Sequence, residues 1–125
     1  MRQALYFLIA SLMLAIAPTA PAADSEVIVA ATSVRGRTLK VTFAQGPIAT
    51  DSRDAVVCSE PRSALMEAKL WMPSMGHGST PTRIVPLADG CTKVERLNFV
   101  MGGAWELQIK FADADKGVFA FDVAE

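Results

Sequence analysis

The feature that most constrains the fold of this chain is an alternation of apolar and polar residues with a period of two. It is clearest in WELQIKF at residues 105–111, where every second side chain is apolar. The alternation recurs in TLKVTF (38–43), LMEAKLWM (65–72) and VFAFDV (118–123), and more weakly over residues 26–32, 82–87 and 92–101. This period places successive side chains on opposite faces of a β-strand. Because turn-forming segments such as ADG and GG separate the runs, we predict an all-β fold, an antiparallel β-sandwich of about seven strands.

The alternation also predicts which side chains face the core. Within residues 65–72 it assigns Met66 and Met72 to the inner face, together with Ala68 and Leu70, and it assigns Trp71 to the outer face. Residues 45–56 are polar and contain one proline, so we predict a long connection there.

The N-terminus has the organisation of a secretory signal peptide. Arg2 precedes an apolar run of 14 residues at positions 4–17, and the small residues Ala20 and Ala22 fit cleavage after Ala22. The run is shorter than the roughly 20 residues that a spanning helix needs. We therefore predict a signal peptide at 1–22, a mature domain at 23–125 and a periplasmic location. The alternative is an uncleaved N-terminus that anchors the domain to the membrane.

The charge balance argues against a nucleic-acid partner. Removal of residues 1–22 leaves 103 residues, with 11 of the 12 basic residues and all 13 acidic ones, for a net charge near −2. No cluster of lysine and arginine stands out, whereas nucleic-acid binding normally needs a basic surface. The length corresponds to one small domain with one core.

The two cysteines, Cys58 and Cys91, are predicted to form a disulfide. If each short connection reverses the chain, the strands at 64–72 and 92–101 run in the same direction and begin at the same end of the sandwich. Both cysteines lie at this end, because Cys58 precedes the first of these strands and Cys91 stands at the start of the second. An even cysteine count in an exported domain also favours a disulfide. The alternative is a thiol metal or redox site, although the sequence contains no C-x-x-C motif.

At the opposite end, the segment WMPSMGHGS concentrates residues that bind soft metals. The same strand directions bring Met101 and a predicted Gly102-Gly103 hairpin to this end. Thioethers suit Cu(I), and imidazole binds copper in either oxidation state. Four residues form the candidate copper site: Met72, Met75, His77 and Met101. The alternative is structural: Met72 and Met101 belong to the core, and His77, the only histidine, bonds backbone carbonyls.

The motif WMPSMGHGS, followed by LNFVMGGAWEL at residues 97–107, also resembles a known family. Met-Pro-x-Met-Gly-His and Phe-x-Met-x-Gly-x-Trp are similar to signatures of the YtkA-like/FixH-like family of small exported β-sandwich domains. The matching positions are Met72, Pro73, Met75, Gly76, His77, Phe99, Met101, Gly103 and Trp105. The resemblance implies an immunoglobulin-like fold and a part in envelope metal handling or oxidase maturation, with copper as the expected metal.

The sequence predicts a binding module and no enzyme. His77 lies near Ser74 and Ser79, but no third member of a hydrolytic triad is recognisable. Asp113 and Asp115, in DADKG, are predicted to form a turn and not a catalytic pair. Two functions therefore remain. One is Cu(I) binding or handling, and the other is a metal-free interaction domain, accessory to a membrane transporter or to oxidase assembly.

Overall fold

The structure is a computed structural model that describes residues 25–125, all of them strand, turn or irregular segment. The predicted signal peptide and its cleavage site lie outside the described residues. Residues 25–125 contain no helix long and apolar enough to cross a membrane. The described residues form nine strands: β1 (Val27–Thr32), β2 (Thr38–Phe43), β3 (Ser52–Glu60), β4 (Leu65–Met72), β5 (His77–Gly78), β6 (Arg83–Pro86), β7 (Thr92–Asn98), β8 (Gly103–Phe111) and β9 (Lys116–Val123).

The strands form two antiparallel sheets that enclose one core. The five-stranded sheet has the order β1-β2-β3-β7-β6, and the four-stranded sheet has the order β5-β4-β8-β9. The inward residues of β2 and β8 are 4% exposed or less, as the alternation predicts for two facing apolar layers. The predicted all-β antiparallel sandwich is therefore confirmed as two packed sheets, and residues 25–125 contain nine strands in place of about seven.

Two strands account for the difference in number. One is the two-residue strand β5, which is too short to show any alternation. The other is β3, which begins at Ser52, so the prediction of a connection through residue 56 is wrong. Its buried positions are Ala55 and Val57, and the polar start of the strand hides this short alternation from the sequence pattern.

A β-bulge near the start of β4 changes which of its side chains face the core. Leu65 pairs with Phe111, and Glu67 pairs with Lys110, so Met66 is the extra residue between the two pairs. The bulge shifts the phase of the alternation. Met66 is consequently 64% exposed, and the prediction that it faces the core is wrong, whereas Met72 is 2% exposed as predicted.

The predicted hairpin at Gly102-Gly103 is also wrong. β7 pairs with β3 and β6, whereas β8 pairs with β4 and β9, so the chain passes from one sheet to the other between Asn98 and Gly103. The strand directions are nevertheless as expected, because β4 and β8 are antiparallel. Met101 therefore lies at the end of the sandwich where β4 finishes. We call this the Met/His end, and it carries Met72, Met75, His77 and Met101.

The disulfide between Cys58 and Cys91 is confirmed, and it defines the opposite end, which we call the disulfide end. The two Cα atoms are 4.5 Å apart. Val57 pairs with Thr92 in the β3–β7 ladder, so the cysteines occupy the next position beyond this pair, with Cys58 in β3 and Cys91 immediately before β7. The bond thus joins neighbouring strands within the five-stranded sheet, and it closes a segment that contains β4, β5 and β6.

Candidate metal centre at the Met/His end

The hairpin between β4 and β5 positions the first donors. Met72 and His77 are register partners, and residues 73–76 form the loop between them. The Met72 carbonyl oxygen accepts hydrogen bonds from the backbone N–H groups of Met75 (3.2 Å) and Gly76 (3.0 Å). Gly76 has a φ of 63°, a left-handed conformation that glycine adopts without steric cost. Met75 is thereby held at the tip of a tight loop, where it is 56% exposed.

The His77 imidazole is oriented by a contact on each side. Its Nδ1 atom lies 3.1 Å from the carbonyl oxygen of Gly78. A carbonyl oxygen can only accept, so this bond requires a hydrogen on Nδ1, and in that tautomer the lone pair is on Nε2. The ring also packs edge-to-face against Trp105, with centroids 6.1 Å apart. His77 is partly exposed, so this orientation leaves a ligating nitrogen on an accessible side chain.

Met101 comes to the same end from the connection between β7 and β8. Its carbonyl oxygen accepts a hydrogen bond of 2.9 Å from Trp105 Nε1, and its side chain is 37% exposed. Trp105 therefore contacts both the segment that carries Met101 and the ring of His77. The sequence pattern placed Trp105 only on an inner face. No sequence signal predicts this link.

Met72 differs from the other three candidates because it is buried. A Cβ atom on Gly103 would lie 3.1 Å from the Met72 Cε atom, so the absence of a side chain on Gly103 makes room for this methyl group. Met72 is 2% exposed, so it lies beneath the surface of the Met/His end as part of the hydrophobic core. The accessible donors are therefore Met75, His77 and Met101.

The chemistry of these donors fits Cu(I). Two accessible thioethers and one imidazole nitrogen are soft or borderline ligands, which Cu(I) prefers over oxygen ligands. Within residues 25–125, no group of three His, Cys, Asp or Glu residues is placed to hold a metal ion. A metal at the Met/His end would thus depend on the thioethers of Met75 and Met101 together with His77.

Ser79, one of the two serines near His77, is engaged elsewhere. Ser79 Oγ donates a hydrogen bond to the carbonyl of Asn98, and Asn98 Nδ2 donates to Thr80 Oγ1. Thr82 Oγ1 donates to the Ala68 carbonyl over 2.6 Å. These side chains connect the two sheets where the chain crosses from β5 to β6, so their hydroxyl groups have a structural role.

Asp113 and Asp115 lie in the β8–β9 turn at the disulfide end. Asp115 is 1% exposed; its carboxylate accepts hydrogen bonds from Ser33 Oγ (2.6 Å) and Arg37 Nη1 (2.9 Å) and from the backbone N–H groups of Arg35 and Lys116. Burial acts to raise the pKa of Asp115, but these hydrogen bonds outweigh it and lower the pKa. The hydrogen bond from Arg37 likewise lowers the pKa of Asp113. The predicted turn is confirmed, with Asp115 as its buried anchor.

These two carboxylates predict loss of stability in acid. Because their pKa values are lower in the folded state, their contribution is present above the unfolded-state pKa and is lost as the pH falls below about 4. We expect Asp115→Asn to lower the free energy of unfolding at pH 7 and to flatten its decline between about pH 5 and pH 2. Urea unfolding across this range measures both effects. Asp122→Asn, on the exposed side of β9, is the control. An equally steep decline in Asp115→Asn would contradict this assignment.

Comparison with models of protein families, with curated proteins and with solved structures finds no match to this chain.

Proposed function

We propose that this protein is a small exported module, periplasmic after signal cleavage, that binds or transfers Cu(I) at the Met/His end. The observation that carries the proposal is the accessible donor set: Met75 and Met101 are exposed at the same end of the sandwich as an imidazole whose Nδ1 is already engaged. The resemblance to the YtkA-like/FixH-like family supports the same proposal. An uncleaved N-terminus would change the proposal only by keeping the domain at the membrane surface.

Each donor has its own part in the proposed site. His77 would bind through Nε2, since its Nδ1 is bonded to the Gly78 carbonyl. Met75 and Met101 would supply thioethers from the exposed surface of the Met/His end, whereas Met72 would pack in the core below them. Exposed thioether ligands suit reversible transfer, because an incoming partner can replace them one at a time without unfolding the domain. We propose no catalytic step.

The direct test is an anaerobic Cu(I) titration of the mature domain against a competing chelator. We expect saturable binding of one ion, and we expect Met75→Leu to weaken it by roughly tenfold or more. Leucine conserves volume but carries no sulfur. Because Met75 is 56% exposed, the melting temperature should barely change.

Met66→Leu is the matched control. Met66 is 64% exposed, but it lies at the bulge near the start of β4, far along the strand from the Met/His end. Its replacement should leave Cu(I) binding unchanged. If the wild-type domain competes no better than a chelator blank, or if both leucine variants bind as the wild type does, the copper proposal is wrong.

A second candidate function is supported by the apolar character of the same end. Met75, Val100 and Met101 are exposed there, and Val100 is 54% exposed. In this alternative the Met/His end docks an apolar surface of a membrane transporter or an oxidase-assembly partner without any metal. It predicts no saturable Cu(I) binding, together with folded Met75 variants that lose the partner.

A further inference from the structure

Trp105 connects the two segments that supply the proposed donors. It lies in β8, and its side chain is 1% exposed. The indole Nε1–H donates to the Met101 carbonyl oxygen over 2.9 Å. The same ring meets the His77 imidazole edge-to-face, with centroids 6.1 Å apart and planes inclined by 69°. One buried side chain thus contacts a donor of β5 and the main chain beside a donor of the β7–β8 connection.

We infer that Trp105 is a positioning residue for the Cu(I) site, a conclusion that rests on the proposed function. It holds the main chain at Met101 and limits the rotation of the His77 ring. Trp105 is no ligand itself, because its indole nitrogen is a hydrogen-bond donor without an available lone pair. Its effect on the metal therefore acts through Met101 and His77.

The positions of the donors in the fold explain why such a residue is needed. His77 lies on the short edge strand of the four-stranded sheet, whereas Met101 lies in the segment that crosses from one sheet to the other. Separate exposed segments lose conformational freedom when they bind one ion, and this loss reduces affinity. Trp105 is itself fixed by the core, where Phe99 packs edge-to-face on it at 6.0 Å. It can therefore place both segments before the ion arrives.

The first test is Trp105→Phe. Phenylalanine retains an aromatic ring beside His77 but cannot donate to the Met101 carbonyl. Removal of such outer-shell partners typically costs about 10–100-fold in metal affinity, so we expect a Cu(I) affinity at least tenfold weaker. Phe111→Leu is the control: Phe111 is a buried aromatic residue at the other end of β8, where it pairs with Leu65 at the disulfide end. It should destabilise the fold and leave Cu(I) affinity within about threefold of the wild type.

A double-mutant cycle separates positioning from general damage to the core. If Trp105 acts by holding Met101, then Met101→Leu should cost much less affinity in the Trp105→Phe background than in the wild type. Met75 has no such link to Trp105, so Met75→Leu should cost the same in both backgrounds. Additive effects of Trp105→Phe and Met101→Leu would overturn the inference.

A fluorescence measurement on a different variant, which retains Trp105, tests the inference even if Trp105→Phe does not fold. Trp71, the other tryptophan, lies on the outer face under Lys69, whose Nζ is 5.1 Å from the ring centroid. Trp71→Phe therefore leaves Trp105 as the single emitter. We expect its emission to change stoichiometrically with Cu(I), and an unchanged emission during saturable binding would overturn the inference. Absence of binding by the wild type would refute the proposed function itself, whereas normal binding by Trp105→Phe would refute only the role of Trp105.

Discussion

Removal of the Cys58–Cys91 disulfide is expected to cost about 3–4 kcal/mol of unfolding free energy, because the bond closes a segment with a sequence separation of 33 residues. That is a large fraction of the 5–15 kcal/mol typical of a native domain. For a domain of this size the melting temperature should fall by roughly 15 °C or more. Thermal unfolding with and without reductant measures the effect.

The matched control is the double variant Cys58→Ala/Cys91→Ala. It should melt at the temperature of the reduced wild type, and its own melting should not respond to reductant. Alkylation of the native, oxidised protein should label neither cysteine, because the structure describes both as bonded. Two labelled thiols in protein taken from an oxidising compartment would contradict the assignment.

The same variant tests whether the two ends of the sandwich are independent. The bond closes the segment that carries Met72, Met75 and His77, yet it lies at the opposite end from them. Below its melting temperature, the alanine variant should therefore retain Cu(I) affinity. Alanine is required for this comparison, since free thiols in reduced wild type would bind copper themselves.

The sequence predicted those parts of the fold that depend on uninterrupted alternation. Residues 105–111 alternate without a break, and their inner side chains are buried as expected. Prediction was wrong where a strand carries an irregularity. The extra residue at Met66 moves it outward. In β7, an insertion at Arg96, whose φ is 64°, also changes the register against β3, and the sequence pattern made no prediction of it. A bulge depends on the pairing partner, which one segment of sequence does not contain.

The candidate site was predictable to a similar degree. Strand direction alone placed Met101 at the end that carries Met75 and His77, and this required no knowledge of which strands pair. The link through Trp105 was not predictable, because it depends on a hydrogen bond across the β7–β8 connection. Nor was the burial of Asp115, whose partners Ser33 and Arg37 lie 82 and 78 residues away in sequence. Long-range polar contacts leave little trace in local periodicity.

Replacement of His77 is expected to have the largest effect on metal binding. His77→Phe keeps an aromatic ring against Trp105 and removes the lone pair at Nε2, so it separates packing from ligation. Loss of a direct ligand should cost more than loss of an outer-shell partner, and we expect Cu(I) affinity to fall by about 100-fold at neutral pH. Because His77 is partly exposed, the fold should tolerate the change.

The pH dependence of the Cu(I) affinity identifies the ligand independently of the size of that affinity at neutral pH. Protons compete with a metal ion for an imidazole lone pair, so wild-type Cu(I) affinity should be lower in acid. Thioethers do not bind protons in water, so the residual binding of His77→Phe, which would rest on Met75 and Met101, should be independent of pH. Competition with a chelator of known pH dependence measures both curves. A wild-type curve as flat as that of the variant would exclude imidazole ligation, and the site would then consist of thioethers alone. Absence of saturable binding by both proteins would instead favour the docking function, in which His77 only closes the end of the sandwich.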